Sequence, residues 1–207
     1  MSKPSVAPQP RTKHVRTRVI ARDGRVLLRT PTWADERELL ALRRASREFH
    51  APWEAEIPGV DPCSREFFAR YMRFGHGENR LRVLVCDAAL NAIVGSISMS
   101  DWRRGSKRPV QLGYWIGYAY ARRGYMTEAM QLLIAHAFGP MRLARLDAYV
   151  LPENTASRAL LARLGFQCAG IVRAFRALHG VARDHERWTI TCPQRGAPTP
   201  RGSSLEP

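Results

Sequence analysis

The stretch VQLGYWIGYAYARRGYMTEAMQLLIAHAF (residues 110–138) contains a strand, a loop and a helix in succession. Apolar and aromatic residues fill 110–118, which is typical of a strand, and apolar residues recur at helical spacing between Met130 and Ala137. Two arginines stand in the loop, close before the helix. Cations gain nothing from the positive end of a helix dipole, so their position favours a bound anion, most often a phosphate.

The loop has the backbone freedom that an anion site needs. Gly124 permits a positive φ, so successive backbone N–H groups can turn inward and form a cradle. Arg122 and Arg123 would flank this cradle with positive charge. A plain connection with one glycine and two solvated arginines explains the same residues, so the loop alone leaves both interpretations open.

Strands and helices alternate around this unit. Strands are predicted at residues 25–29, 80–89, 92–102, 110–118, 143–151, 166–178 and 182–192. Helices are predicted at residues 32–49, after Ser64, at 125–138 and at 154–166. This order predicts an α/β (α+β) fold with a mixed, mostly antiparallel sheet of about seven strands and helices on both faces.

The composition indicates one globular domain with a loose segment at each end. A length of 207 residues and an apolar share of 45% suit one domain better than two. We assign the domain to residues 20–192. Residues 1–19 precede it as a basic, flexible arm, and the Pro-, Gly- and Ser-rich residues 193–207 follow it as a flexible tail.

Nothing in the sequence indicates a membrane-spanning or secreted protein. No run approaches the roughly 18 apolar residues of a membrane helix, and the N-terminus lacks the apolar core of a signal peptide. The four cysteines lie far apart with no C-x-x-C pair, so neither a disulfide framework nor a zinc site is expected. Cys86 and Cys168 are predicted to be core thiols. We therefore expect a cytoplasmic protein without a bound metal.

The charge of the chain points to a polyanionic partner. The sequence has 33 Lys and Arg against 18 Asp and Glu, a net charge of +15, and residues 1–18 contain no acid. Such a surface suits RNA or a ribonucleoprotein. A general preference for arginine on surfaces explains the same excess. Non-specific contact with rRNA is therefore an expectation that the charge alone leaves open.

Four segments carry a family resemblance: GYWIG (113–117), RGYMTEA (123–129), PENTAS (152–157) and LARLGF (161–166). In this order and spacing, over roughly residues 20–192, the chain resembles the GNAT superfamily of acetyl-CoA-dependent N-acetyltransferases. It is most similar to the RimJ/RimL branch, which acetylates the N-terminal amines of ribosomal proteins. The resemblance implies the GNAT fold, in which the fourth and fifth predicted strands splay apart to admit the pantetheine arm of acetyl-CoA.

The resemblance also implies which residues bind acetyl-CoA. The backbone of Trp115, Ile116 and Gly117 would pair with the pantetheine amides like a missing strand. Asn154, which the sequence predicts to be a helix cap, would also meet the pantetheine arm. The pyrophosphate would lie in a loop formed by Arg122, Arg123, Gly124, Tyr125, Met126 and Thr127.

For catalysis, the resemblance implies that Ser157 protonates the departing thiolate, whereas an ordinary serine in a first helical turn is the alternative. The general-acid tyrosine of the superfamily is Leu161 here, and the RimL-like base position is Arg176, so neither role carries over. The loop departs from the superfamily pattern too, with Ala121 at its first position. Glu54 remains as the candidate base, because the RimJ-like branch has a similar P-W-E after its first helix.

The lack of a strong base favours an acceptor that loses a proton easily. A protein α-amine, with a reference pKa of about 7.7–8.0, is neutralised at pH 7 for roughly 1.4 kcal/mol, against about 4.6 kcal/mol for lysine. We therefore expect direct acetyl transfer to a protein N-terminus, on a ribosomal protein or the assembling ribosome. Two alternatives stay open: an acetyltransferase for a small amine such as an antibiotic or polyamine, and a degenerate GNAT domain that binds RNA or protein without catalysis.

Overall fold

A computed structural model of the chain describes residues 17–55, 57–73, 76–77, 79–101 and 109–193. Most of the predicted arm and tail lies outside these residues. The sheet begins at Val19, the last residue that we assigned to the arm, and the backbone N–H of Arg18 donates to the Thr30 hydroxyl at 2.9 Å.

The described residues form one sheet and five α-helices. The strands are β1 (Val19–Asp23), β2 (Val26–Arg29), β3 (His76–Gly77), β4 (Arg80–Asp87), β5 (Ala92–Ser100), β6 (Val110–Ile116), β7 (Arg145–Val150), β8 (Gln167–Leu178) and β9 (Val181–Thr191). The helices are α1 (Glu36–Ala45), α2 (Arg47–His50), α3 (Arg65–Arg73), α4 (Tyr125–Phe138) and α5 (Thr155–Arg163), with 3₁₀ turns at Trp33–Asp35 and Tyr118–Tyr120. The strand order is β1-β2-β4-β5-β6-β7-β9-β8, and β3 pairs with β4.

The predicted fold class is confirmed, and two short strands were missed. β3 spans only two residues, too few for any pattern. β1 forms a hairpin with β2 across Gly24 and Arg25, where Asp23 pairs with Val26 and Gly24 has a φ of +50°. The remaining seven strands lie where the sequence predicts them, and the LN and HG turns join β4 to β5 and β8 to β9.

The predicted splay lies between β6 and β7. The two strands pair in parallel from Val110 and Leu146 only as far as Leu112 and Ala148. The next residues of β6, up to Ile116, pair with β5 alone. All other strand pairs of the described sheet are antiparallel. The sheet therefore opens between β6 and β7 at the C-terminal ends of these strands.

Helices cover both faces of the sheet, as predicted. Along β4, alternate side chains enter opposite apolar clusters. Val83 and Val85 pack in the cluster that contains Met130 of α4, whereas Leu84 packs in the cluster that contains Leu39 of α1 and residues of α3. The phosphate end of the predicted site thus lies on the α4 face, and α1 to α3 cover the other face.

The cysteine prediction is half right. Cys86 is fully buried, but Cys168 is exposed because it lies on β8, the last strand of the sheet, most of whose residues are exposed. In the part of the chain that the structure describes, no group of three His, Cys, Asp or Glu side chains could hold a metal ion. No helix within those residues is long and apolar enough to cross a membrane.

Candidate active site

The predicted anion loop leads directly into α4, and we call residues 122–127 the phosphate loop. Gly124 has a φ of +88°, a conformation that favours glycine. The N–H of Glu128 donates to the carbonyl of Gly124 at 3.1 Å, so the N–H groups of residues 125–127 precede the first bond of the helix. Arg122 and Arg123 are exposed beside them. This helix end has the geometry and charge to hold a phosphate.

Arg25, in the turn between β1 and β2, holds the phosphate loop. Its Nη2 donates to Oε1 of Glu128 at 2.7 Å and to the carbonyl of Arg123. Its guanidinium carbon lies 4.3 Å from the centroid of the Tyr125 ring, and the Tyr125 hydroxyl donates to the Asp87 carboxylate at 2.5 Å. Arg25 is not predicted from the sequence, because 103 residues separate it from Glu128 and no local pattern connects them.

One edge of β6 faces the splay. On the other edge, the N–H of Gly117 donates to the carbonyl of Val94 at 2.8 Å. Alternate residues of a strand direct their backbone groups to the same side, so Trp115 also faces β5 and Ile116 faces the splay. Of the three residues predicted to pair with the pantetheine, Ile116 presents its backbone groups to the splay, whereas Trp115 and Gly117 direct theirs to β5.

Ser157 lies in the first turn of α5 and contacts β6. Its N–H donates to Oδ1 of Asn154 at 3.0 Å, so Asn154 caps the helix as predicted. Its Oγ lies 2.6 Å from the hydroxyl oxygen of Tyr114. Burial raises the pKa of Tyr114 to about 12, which keeps the phenol protonated and able to donate at neutral pH. A pair of hydroxyl groups thus stands beside the splay.

Glu54, the predicted base, is tied to a buried arginine. The guanidinium of Arg43 on α1 donates to Oε1 of Glu54 and, at 2.8 Å, to the carbonyl of Pro62. The same guanidinium lies 4.5 Å from the ring centroid of Phe67 and 5.2 Å from that of Trp115. The Glu54–Arg43 pair closes the loop after α2 onto α1. One carboxylate oxygen of Glu54 is therefore already engaged.

A cavity of about 390 Å³ opens next to this ion pair, and we call it the acceptor cavity. Its walls come from the ends of α1 and α2, the loop between α2 and α3, and the β8–β9 turn. His179 of that turn reaches across, with its Nε2 3.0 Å from the carbonyl oxygen of Ala51. The loop contributes mostly small and apolar side chains. The cavity lies on the α1–α3 side of the sheet, opposite the phosphate loop.

Comparison with known proteins decides the family. The family described as "Acetyltransferase (GNAT) domain" matches residues 25–167. The probable N-acetyltransferase YjcK of Bacillus subtilis is 33% identical over 162 residues, which cover 77% of this chain and 90% of that protein. The chain belongs to the GNAT acetyltransferases.

Two further proteins are similar over most of the chain. The ribosomal protein uS5-alanine N-acetyltransferase of Escherichia coli is 29% identical over 152 residues, 73% of this chain and 73% of that protein. Among solved structures, Mycobacterium smegmatis RimJ in complex with CoA-disulfide has a TM-score of 0.75 at 26% identity, covering 83% of this chain and 84% of that one. The predicted similarity to the RimJ/RimL branch is confirmed.

As a GNAT N-acetyltransferase, the chain uses acetyl-CoA as its acetyl donor. The start of α4 fits the phosphates of such a donor. A Cβ on Gly124 would lie 2.8 Å from Nη2 of Arg25, so only glycine leaves this helix end open without moving the guanidinium. The arginines of the phosphate loop add positive charge to the backbone N–H groups.

In this GNAT chain the tyrosine hydroxyl at the splay comes from strand β6 and not from helix α5. Leu161, at the position of the superfamily's general acid, is fully buried in the core. Tyr114 instead supplies a hydroxyl from β6. Tyr114 belongs to the GYWIG segment, but only the contact with Ser157 across 43 residues gives it a candidate role.

Proposed function

We propose that this GNAT enzyme acetylates the N-terminal α-amine of a protein, with a ribosomal protein as the first candidate, in the cytoplasm. The proposal is supported by the similarity to the uS5-alanine N-acetyltransferase and by the properties of the acceptor cavity.

The observation that carries the proposal is the charge of that cavity. Glu54 is the one carboxylate among its described lining residues, and it is paired with Arg43. Arg47 also lines the cavity and is paired with Asp61 at 2.8 Å. A cavity without an unpaired carboxylate among these residues attracts polyamines and aminoglycosides poorly. An α-amine, with a reference pKa of about 7.7–8.0, can enter it in the neutral form.

Acetyl-CoA would bind across the splay, with its phosphates on the N–H groups of residues 125–127 and its pantetheine arm along Ile116. The acceptor amine would approach from the cavity on the other face of the sheet. Its nitrogen attacks the thioester carbonyl carbon, the C–N bond forms, and the tetrahedral intermediate collapses with cleavage of the C–S bond. Ser157, hydrogen-bonded to Tyr114, donates a proton to the departing thiolate. Asn154 holds α5 in place and lies near the pantetheine arm.

The ribosomal part of the proposal also uses charge. A net charge of +15 favours binding near rRNA, where each phosphate contact releases a counterion and makes the affinity depend on salt. Residues 1–18, most of which lie outside the described residues, contribute to this charge without an acidic residue. Deletion of residues 1–18 should therefore weaken capture of ribosomal particles and leave the turnover of a short peptide unchanged.

A peptide panel tests the acceptor. The full chain is incubated with acetyl-CoA and with short peptides whose N-terminus is either free or blocked and which contain internal lysines, alongside spermidine and an aminoglycoside. We expect acetylation of the free N-termini only, located by mass spectrometry. Acetylation restricted to lysine side chains or to the small amines would contradict the proposal, and saturable acetyl-CoA binding without any turnover would favour a binding module.

A further inference from the structure

His50 is the last residue of α2, and its ring lies at the splay. The imidazole packs edge-to-face on Trp115, with ring centroids 5.7 Å apart and an interplanar angle of 82°. The backbone carbonyl of Ile116 lies beside the ring. Because the backbone groups of Ile116 point away from β5 and into the splay, the imidazole stands where the thioester and the acceptor amine would meet.

The Nε2 atom of His50 is buried and has no hydrogen-bond partner among the residues that the structure describes. A buried polar atom that stays unpaired is costly, so it is uncommon in folded proteins unless a ligand satisfies it. His50 also lines the acceptor cavity, together with Arg43 and Glu54. His50 is therefore part of the wall that an incoming amine would meet, and its ring contains a buried nitrogen without a partner among the described residues.

We propose that Nε2 of His50 accepts the proton of the acceptor amine during acetyl transfer, an assignment that rests on the proposed function. As the amine nitrogen forms its bond to the acetyl carbon, one N–H proton passes to Nε2, and the C–S electrons leave with sulfur. Ser157 protonates the thiolate, and the proton that His50 releases to water is matched by one that water returns to Ser157, so both side chains are regenerated. The products are the acetylated amine and CoA with a free thiol. Glu54 is then a positioning residue that holds Arg43, not the base.

The charges around His50 suit this role. Burial lowers the pKa of His50, and Arg43 on α1 lowers it further, whereas Glu54 and the carbonyl of Ile116 oppose the shift. Arg47 of α2 and His179 of the β8–β9 turn line the same cavity. Because the pKa lies below its usual value, the imidazole is neutral at pH 7 and can accept a proton.

The test compares the full-length wild-type protein with His50→Gln, using acetyl-CoA and the best N-terminal peptide of the panel. We expect His50→Gln to lower kcat by about 10²-fold, the usual range for a general base, and to leave the KM for acetyl-CoA within about twofold. At acid pH, below the lowered pKa of His50, log kcat/KM of the wild type should fall with a slope of about 2, from the amine and His50, and that of the variant with a slope of about 1. His136→Gln is the matched control, since His136 is another helical histidine whose pKa burial lowers.

His50→Ala separates chemistry from packing. Added imidazole should raise the kcat of His50→Ala at least about tenfold and leave the kcat of the wild type unchanged. A kcat of His50→Gln above half of the wild-type value would overturn the assignment. A lower kcat of His50→Gln with an unchanged pH profile, together with no rescue of His50→Ala by imidazole, would also overturn the assignment. The proposed function is judged separately, by which amine the wild-type protein acetylates, and the same variants can be measured on that amine.

Discussion

Arg25 and Glu128 lie 103 residues apart in the chain and form an ion pair of 2.7 Å beside the phosphate loop. The pair joins the β1–β2 turn to the first turn of α4, and Arg25 also donates to the carbonyl of Arg123. Both side chains of the pair are exposed to solvent, so we expect it to position the loop more than it stabilises the fold.

Arg25→Ala should therefore raise the KM for acetyl-CoA by roughly three- to tenfold, the effect expected when one or two net hydrogen bonds to the loop are lost. Its kcat should change little. Arg65→Ala is the control, because Arg65 pairs with Glu36 at 2.6 Å on the other face of the sheet. Equal KM values in both variants, measured by steady-state kinetics, would mean that Arg25 does not position the loop.

Gly124→Ala tests the phosphate loop against a glycine of nearly the same conformation. Gly124 and Gly165 have φ values of +88° and +86°, so alanine at either position should cost about 1–2 kcal/mol of stability. At Gly165 the nearest atom to a new Cβ is 3.9 Å away, whereas at Gly124 it is Nη2 of Arg25 at 2.8 Å. Only Gly124→Ala should weaken acetyl-CoA binding, by roughly tenfold or more, equivalent to about 1.4 kcal/mol.

Calorimetric titration of acetyl-CoA into both glycine variants provides the measurement, with thermal unfolding to compare their stabilities. If Gly165→Ala weakens binding as much as Gly124→Ala does, the effect comes from general strain and the phosphate loop has no special role.

Ser157→Ala should lower kcat by about 10²-fold with acetyl-CoA affinity nearly intact, because the thiolate loses its proton donor. Tyr114→Phe should lower kcat by about tenfold, since it removes the partner that lies 2.6 Å from the Ser157 hydroxyl. If the two hydroxyl groups act as one unit, the double variant should be no slower than Ser157→Ala.

Tyr71→Phe is the control for the hydroxyl pair. Tyr71 and Ser96 form a similar contact of 2.8 Å in the core between α3 and β5. Its loss should cost about 1 kcal/mol of stability and leave kcat unchanged. Full kcat in Ser157→Ala would return Ser157 to a purely structural place in the first turn of α5.

Glu54→Gln separates a base from a positioning residue. Glutamine keeps a carbonyl oxygen for Arg43 but cannot accept a proton from an amine. If Glu54 only holds Arg43, kcat should fall by less than about tenfold, whereas removal of a general base costs about 10² or more. Comparison with His50→Gln under the same conditions shows which side chain takes the proton.

Folding stability should decrease as the pH falls from 7 to 5. Burial lowers the pKa of His50, His136 and His185 below the usual 6.5, so the unfolded chain takes up protons at a pH where the folded chain does not. The free energy of unfolding then falls by at most about 1.4 kcal/mol per pH unit for each histidine.

The described aspartates with a shifted pKa do not contribute in that range. The pKa values of Asp35, Asp61, Asp87 and Asp184 all lie below the usual 3.8, so their stabilising effect is lost only at lower pH. Urea unfolding at pH 7.5, 6.5 and 5.5 gives the slope, and His136→Gln should reduce it. A free energy of unfolding that stays constant down to pH 5 would contradict the lowered pKa values of these histidines.

The sequence by itself determined the elements whose signals are local. The strand, loop and helix at residues 110–138 have their apolar spacing and their glycine within one short segment, so their structure follows from neighbouring residues. The same holds for Asn154, whose side chain caps α5 by accepting from the N–H of Ser157, and for Gly165 at the end of that helix. The family resemblance rests on such segments and their order along the chain.

Only the tertiary structure decided which of these residues act together. The contacts of Arg25 with Glu128, of Tyr114 with Ser157 and of His50 with Ile116 join elements that are far apart in sequence. Strand register and helix packing set such contacts, and neither is encoded in a local pattern.

The same reason explains what the structure adds to the predictions. The N–H groups of Trp115 and Gly117 face β5, and the buried guanidinium of Arg43 pairs with Glu54. Cys168 is exposed because β8 lies at the edge of the sheet. In each case the residue type was compatible with the predicted role. The neighbours that the tertiary structure places around the residue could not be read from the local sequence.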